Sequence, residues 1–79
     1  MKKRLIKDTT TGEYFKAYDR AKARSITMVN TLKKGARYSM SQGDSEAIER
    51  ILTVLKNYNP SHEFEVETYD VVETWTKIE

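Results

Sequence analysis

The chain has 79 residues, no cysteine, 14 basic and 12 acidic side chains, a formal net charge of +2 and a mean hydropathy of −0.74. This length leaves room for one hydrophobic core, the absence of cysteine excludes a disulfide framework, and no run of about 18 or more apolar residues is present that could cross a membrane. We therefore expect residues 1–79 to form a single small domain.

The first predicted element is a β-hairpin over residues 3–18. Residues 4–7 and 13–18 contain aromatic and aliphatic side chains that suit a pleated, half-buried surface. The connection between them runs from Asp8 to Gly12. An aspartate accepts hydrogen bonds from the backbone just after it, and a glycine adopts positive φ without a steric penalty, so this connection predicts a tight turn.

Residues 19–40 allow two interpretations. In the first, Asp19 caps a long helix. Against this, residues 25–29 are rich in β-branched side chains, which lose rotamer freedom in a helix. The composition therefore favours a short strand at 25–29, then a helical turn capped by Asn30 and an extended segment over 37–40.

An amphipathic helix is predicted over residues 44–58, where apolar side chains recur at helical spacing. Asp44 or Ser45 is the expected N-cap, and Pro60 ends the helix because proline disfavours helical geometry in the residue before it. The predicted buried face consists of Ala47, Ile48, Ile51, Leu52, Leu55 and Tyr58.

Residues 63–76 are predicted to be extended. Phe64 and Val66 alternate with glutamates at 63, 65 and 67, a pattern typical of a strand with one packed and one solvated face. The alternation weakens after Thr68. Strands average about 5–6 residues, so this long stretch is expected to contain a bulge or a tight turn.

These elements together predict an α+β fold. The expected architecture is a small, mainly antiparallel sheet, made of the N-terminal hairpin and the C-terminal strand and covered by one amphipathic helix.

The small net charge conceals two halves of opposite charge. Residues 1–37 contain 11 basic and three acidic side chains (+8), and residues 38–79 contain three basic and nine acidic ones (−6), which gives +2 in total. This layout fits basic strands that pair with the acidic C-terminal strand inside one sheet, where each cross-strand ion pair contributes roughly 0.2–1 kcal/mol. It also fits contact of the basic half with nucleic acid, or an electrostatic protein partner.

Nucleic-acid binding by the basic half is the alternative function. Lysines and arginines suit phosphates, and the tyrosines among them suit base stacking. The sequence contains no RNA-recognition signature, zinc finger or helix-turn-helix pattern. The candidate contacts are Lys2, Lys3, Arg4, Lys16, Arg20, Lys22, Arg24, Lys33, Lys34 and Arg37.

Catalysis has little support in this sequence. The single histidine, His62, lies between Ser61 and Glu63, but adjacency along the chain does not make a catalytic triad. A structural zinc site needs about four Cys or His ligands, and the scattered glycines form no phosphate-binding loop. We expect a protein that is not an enzyme and that uses no metal or other cofactor.

An acidic stripe is the candidate protein-binding surface. The glutamates at 63, 65 and 67 would present negative charge to a basic partner, and Tyr69 and Trp75 share their parity along the strand. These aromatics either extend the stripe into an interaction patch or a homodimer contact, or are turned inward by a bulge. The candidate residues are Glu63, Glu65, Glu67, Tyr69 and Trp75.

The order of elements resembles small accessory proteins encoded by bacteriophages of Gram-positive hosts. Residues 5–15 (LIKDTTTGEYF) resemble their opening hairpin, and residues 36–39 precede a similar helix at 46–52. Residues 64–67 and 71–73 resemble their closing strand. The resemblance implies a compact α+β fold and a role in redirecting host machinery, and it supplies no functional residue.

The favoured function is therefore a non-catalytic, protein-binding accessory or regulatory factor of phage origin that acts on a host protein. We expect no membrane contact and a cytoplasmic location. The basic residues 1–4 are followed by only two apolar residues before Lys7, so there is no apolar region of a secretory signal.

Overall fold

The computed structural model describes residues 1–21, 25–71 and 75–78, which form five strands, one 3₁₀ turn and one α-helix. In chain order these are β1 (Lys2–Asp8), β2 (Glu13–Asp19), β3 (Ser25–Val29), the 3₁₀ turn (Leu32–Lys34), α1 (Gln42–Tyr58), β4 (Phe64–Val71) and β5 (Trp75–Ile78). The strands form one antiparallel sheet in the order β3-β2-β1-β4-β5. The predicted α+β arrangement is confirmed.

The turn of the N-terminal hairpin forms as the sequence predicts. Asp8 Oδ1 accepts hydrogen bonds from the backbone N–H groups of Thr10 (2.9 Å) and Thr11 (3.3 Å). The N–H of Gly12 donates to the carbonyl of Asp8 at 2.8 Å, and Gly12 has a φ of 81°. A residue with a Cβ rarely adopts this φ, which explains the glycine.

The strand predicted at 25–29 is confirmed as β3, but the predicted cap of the following turn is wrong. The 3₁₀ turn follows Thr31, not Asn30. Thr31 has the extended backbone of an N-cap residue (φ −123°, ψ 138°) but makes no capping hydrogen bond with its side chain. A single 3₁₀ turn thus forms here without the side-chain cap expected from Asn30.

The helix begins two residues earlier than predicted and ends at Tyr58 as predicted. Its N-cap is Ser41, whose side chain accepts a hydrogen bond from the Asp44 N–H at 3.2 Å. Asp44 lies inside the first turn, where its carboxylate accepts from the Ser39 N–H at 2.5 Å. Hydrogen bonds from Ser39 lower the pKa of the Asp44 carboxyl. Tyr58, predicted to be buried, is 49% exposed.

One hydrophobic cluster joins the helix to the sheet. Ile48 and Leu55 of α1 are buried in the same cluster as Ile6 of β1 and Phe15 of β2. Leu5 is also fully buried but lies outside this cluster. Successive side chains of a strand point to opposite faces, so β1 is buried on both faces of the sheet.

The chain after the 3₁₀ turn packs closely against Leu5. A Cβ placed on Gly35 would lie 2.9 Å from Leu5 Cδ2 and 3.1 Å from Tyr14 Cβ, closer than side-chain atoms normally approach. Gly35 has an ordinary φ of −68°, so a glycine is required here for space and not for backbone freedom. This contact covers Leu5 on the face opposite Ile6.

The hairpin opens away from its turn and admits a third segment. β1 and β2 pair only at Lys7–Tyr14 and Asp8–Glu13. Farther along, the Ala36 N–H donates to the Phe15 carbonyl of β2 at 2.8 Å, and Tyr38 exchanges two backbone hydrogen bonds with Arg4 of β1. Residues 36–38 therefore lie between the two strands.

The predicted pairing of a basic with an acidic strand is confirmed. β1 pairs with β4 over its whole length, from Lys2 opposite Asp70 to Asp8 opposite Phe64. The N-terminal ammonium also lies 3.0 Å from the Asp70 carboxylate. Basic residues of β1 thus lie opposite acidic residues of β4 within the sheet, Lys2 opposite Asp70 and Lys7 opposite Glu65.

The long C-terminal stretch forms two strands. β4 and β5 pair antiparallel, with Val71 opposite Trp75 and Thr68 opposite Ile78. The predicted bulge or tight turn falls in residues 72–74, between the two strands and outside the described ranges.

Candidate functional site

The predicted acidic stripe is interrupted by burial. Glu63 and Glu65 are exposed, but Glu67 is 4% and Tyr69 7% exposed. Glu67 lies directly opposite Leu5, in the covered centre of the sheet. The side chain of Trp75 lies outside the described residues. The prediction that it belongs either to an interface or to the core therefore stays a prediction. The prediction of an exposed stripe is therefore wrong at Glu67, and the burial of Tyr69 agrees with the alternative in which this aromatic is not exposed.

Glu67 is instead the centre of a buried polar network. The Tyr69 hydroxyl donates to Glu67 Oε1 at 2.7 Å, and Lys77 Nζ lies 2.8 Å from Oε2. Burial alone raises the pKa of the Glu67 carboxyl, but hydrogen bonds from Lys77 and Tyr69 and the charge of Lys7 outweigh it, so the pKa is lower than usual. Burial and the neighbouring carboxylate raise the pKa of Tyr69.

This network predicts a pH dependence of stability. Because the folded state lowers the pKa of Glu67, its contribution is complete above the unfolded pKa of about 4.3 and is lost as the pH falls through the lower folded value. We expect the Glu67→Gln variant to lose less stability than the original protein between about pH 6 and pH 3. Urea unfolding at a series of pH values measures this difference. The matched variant Glu65→Gln changes an exposed side chain and should keep the original dependence; equal slopes for all three proteins would contradict the prediction.

The single histidine belongs to a structural clamp. His62 Nδ1 lies 2.7 Å from Asp8 Oδ2, and Asp8 is 3% exposed. The same loop is held by the Thr9 N–H, which donates to the Glu63 carbonyl, and by Thr10 Oγ1, which accepts from the Glu63 N–H, both at 2.9 Å. These contacts join the hairpin turn to the start of β4. Within residues 1–21, 25–71 and 75–78, no group of three or more His, Cys, Asp or Glu side chains is placed to hold a metal ion.

Arg4, a candidate nucleic-acid contact, has a structural role. Its guanidinium donates two hydrogen bonds to the Ser39 carbonyl, at 2.9 and 2.6 Å, and one to Ser45 Oγ at 2.9 Å. It also donates to the Ser41 carbonyl at 3.2 Å. Arg4 thereby ties β1 to the first turn of α1.

The other basic candidates are distributed over several elements. Lys2 and the half-buried Lys3 lie on β1, and Lys22 and Arg24 lie outside the described residues. Arg37 donates to the Lys33 carbonyl at 3.3 Å. The remaining candidates have exposed side chains on β2, at its end or on the 3₁₀ turn, and they are Lys16, Arg20, Lys33 and Lys34.

The edge strand β3 has an open side. Within the described ranges it pairs with β2 alone, and it ends the sheet. Edge strands are usually protected by lysine, proline or a bulge, because their unpaired N–H and C=O groups can pair with another chain. β3, with the sequence Ser-Ile-Thr-Met-Val, has no charged residue and no proline, whereas the opposite edge strand β5 contains Lys77. The irregularity in this part of the sheet is in β2, where the register with β3 shifts between Phe15 and Ala17.

The sequence around this edge is strongly basic. Residues 16–37 contain seven basic side chains and one acidic one, a formal charge of +6. The open strand therefore lies within a basic stretch of the sequence, of which Lys22 and Arg24 fall outside the described residues.

A groove lies between β2 and α1. Its volume is about 410 Å³. Tyr18, on its sheet side, is the cross-strand partner of Ile26 in β3. The lining residues are Tyr18, Arg20, Arg50, Ile51, Thr53 and Val54.

Sequence reasoning identified Arg20 but missed the open edge and Arg50. The order of the strands cannot be read from hydrophobic patterns, so nothing marked β3 as an edge. Arg50 is an ordinary polar-face residue of an amphipathic helix, and it lines the same groove as Arg20 only because α1 packs beside the end of β2. The available signal was the absence of charge in residues 25–29 within a basic segment.

Comparisons with known proteins leave this site to be interpreted from its own geometry. Among the described residues, no helix has the length and apolar character needed to cross a membrane. The resemblance to phage accessory proteins stays a prediction from the sequence. No protein-family model matches the chain, and neither curated proteins nor solved structures give a match.

Proposed function

We propose that this protein is a non-catalytic binding factor that takes up an extended, acidic segment of a partner protein as an additional strand on β3. The observation that supports this most directly is the open, uncharged edge of β3 within a segment of formal charge +6. The accessory function predicted from the sequence had an acidic surface that binds a basic partner. In this proposal the charges are exchanged, and a basic surface binds an acidic partner.

Backbone pairing would supply affinity at this site. A strand added to a sheet edge satisfies the outward N–H and C=O groups of that edge, and its alternate side chains provide specificity. β3 offers five residues for such pairing. Ile26 and Met28, which pack against the hydrophobic cluster, hold the strand in place on the sheet.

Charge would select the partner and accelerate its association. Complementary potentials raise association rates and disfavour partners of the wrong sign, and salt screens this contribution. Glu65, by contrast, lies opposite Lys7 on the inner strands of the sheet, where its charge has a basic neighbour within the protein.

Selection from a displayed library of random twelve-residue peptides tests this proposal. We expect enrichment of peptides that combine acidic with β-branched residues, and binding that weakens as salt is raised. A selected peptide with N-methyl groups on alternate residues should lose at least about tenfold in affinity when these block its pairing N–H groups, because several main-chain hydrogen bonds are lost. Methylation of the intervening residues should have a smaller effect.

Matched charge reversals locate the binding surface. Lys16 is exposed on β2 beside β3, whereas Lys2 is exposed on β1, two strands from that edge. Lys16→Glu should weaken peptide binding several-fold and Lys2→Glu should not, although both change the net charge equally. Enrichment of basic peptides, insensitivity to N-methylation, or displacement of every peptide by single-stranded oligonucleotides that bind more tightly would overturn the proposal, and the last result would favour the nucleic-acid alternative.

A further inference from the structure

We propose that the groove between β2 and α1 is a binding site for a small aromatic acid, a ligand with one aromatic ring and one carboxylate group. The proposal concerns a second surface of the protein and does not depend on strand addition to β3. The lining residues belong to β2, to the position directly after it and to α1, so a ligand here contacts the sheet and the helix at once.

The floor of this groove is apolar. Tyr18 and Ile51 are half-buried and pack against the hydrophobic cluster, and Val54 is half-buried beside them. Transfer of an apolar group from water onto such a surface is favourable, and the ring of Tyr18 offers a packing partner to another aromatic ring. The volume of about 410 Å³ lies near the lower end of the range of about 300–1,000 Å³ for ligand pockets, which favours a ligand of one ring over a larger one.

Two arginines line the same groove. Arg20 and Arg50 are both exposed, and in the described part of the chain neither makes a hydrogen bond or an ion pair. Their chain neighbours Asp19 and Glu49 are also exposed, but no acidic side chain is among the described residues that line the groove. A guanidinium presents a planar fork of donors that matches a carboxylate. The groove therefore suits a negatively charged group.

The class of ligand follows from these two features together. Arginines on an open surface attract any small anion, and an apolar floor alone accepts neutral molecules. A carboxylate joined to an aromatic ring satisfies both, and the ring keeps water away from the charge-assisted hydrogen bonds, which strengthens them. We therefore expect tight binding to require the charge and the ring in one molecule.

Titration with three related compounds tests this requirement. The probe is 3-phenylpropanoate; 3-phenylpropanamide has the same ring without the charge, and propanoate has the charge without the ring. Binding is followed by NMR through the backbone amide signals of the protein, and the shifts should be confined to the lining residues and their chain neighbours. We expect the amide and propanoate each to bind at least about tenfold more weakly than the probe.

Charge reversal at Arg50 tests the role of the arginines. Arg50→Glu should lower the affinity for 3-phenylpropanoate about tenfold, because a charge-assisted contact becomes repulsive. Lys56→Glu is the matched control: Lys56 is also exposed on α1 and is not part of the groove lining, and the net charge changes equally. Arg50→Lys should lose several-fold, since an ammonium keeps the charge but not the fork of donors.

A second pair of variants tests the apolar floor without changing charge. Thr53→Trp fills the groove, whereas Asn57→Trp adds the same side chain to an exposed position outside the lining. Thr53→Trp should abolish binding of the probe and Asn57→Trp should retain it. Circular dichroism and the NMR spectra of all variants show whether each is folded.

Three results would overturn this proposal. Equal affinity for 3-phenylpropanoate and its amide would show that the arginines do not bind the ligand. Equal affinity for 3-phenylpropanoate and propanoate would show that the apolar floor does not contribute. Arg50→Glu behaving like Lys56→Glu, or Thr53→Trp like Asn57→Trp, would place any binding outside the groove. None of these results bears on strand addition to β3, which the N-methylated peptides test separately.

Discussion

Replacing Leu5 by alanine should destabilise the protein by about 2–5 kcal/mol, as much as replacing Ile6. Both side chains are fully buried. They are consecutive on the central strand β1, so they lie on opposite faces of the sheet. Each substitution removes apolar contacts and leaves a cavity, and urea unfolding followed by circular dichroism measures both costs.

Comparing the costs of Leu5→Ala and Ile6→Ala tests whether both faces of β1 are buried. If Leu5 lay on a solvated face, as expected for a strand with one wet side, its replacement would cost well under about 1 kcal/mol. Met40→Ala, at a large side chain that is 54% exposed, provides that reference value. A Leu5→Ala cost near the Met40→Ala cost would show that the second face is not part of the core.

Replacing Asp8 by alanine should cost about 3 kcal/mol, because one buried carboxylate holds two separate segments. Its Oδ1 accepts hydrogen bonds from Thr10 and Thr11 in the hairpin turn, and its Oδ2 lies 2.7 Å from His62 Nδ1. Hydrogen bonds to a charged group contribute about 1.5–3 kcal/mol, and partners left unsatisfied add to the cost of removal. Total stabilities of a chain this size are only about 4–12 kcal/mol, so this loss is large.

Asp19 provides the control for this prediction. It also accepts a hydrogen bond from the N–H two residues ahead, that of Ala21 at 2.9 Å, but its side chain is exposed. We expect Asp19→Ala to cost about 1 kcal/mol or less. A double-mutant cycle with His62→Ala measures the coupling across the clamp; a coupling near zero would show that Asp8 acts only within the turn.

Local signals predicted most of the secondary structure. The aspartate and glycine of the first turn, the β-branched residues 25–29 and the apolar periodicity of α1 each depend on a few neighbouring residues, and the structure confirms all of these elements. The helix start was wrong by two residues because Ser41, Asp44 and Ser45 are all suitable capping residues. Which of them caps depends on Ser39, whose N–H is hydrogen-bonded to Asp44.

The candidate site could not be predicted in the same way. The alternation of Phe64 and Val66 with glutamates indicated a solvated face, yet Glu67 is buried because Tyr69 and Lys77 satisfy its carboxylate there. Lys77 lies on β5, which comes next to β4 only when the sheet has formed. Alternation of apolar and charged residues predicts that the charged ones face water, so it cannot predict a buried charge whose partners are distant in sequence.

The sequence by itself determined most of the elements and the opposition of a basic and an acidic half, because propensities, turn chemistry and charge are local or additive properties. Only the tertiary structure decided that β1 and β4 are paired neighbours, that Leu5 and Glu67 are covered, and that β3 is an open edge. Strand order and burial follow from contacts between residues far apart in the chain. Arg20 and Arg50 are 30 positions apart, and only packing brings them to one groove.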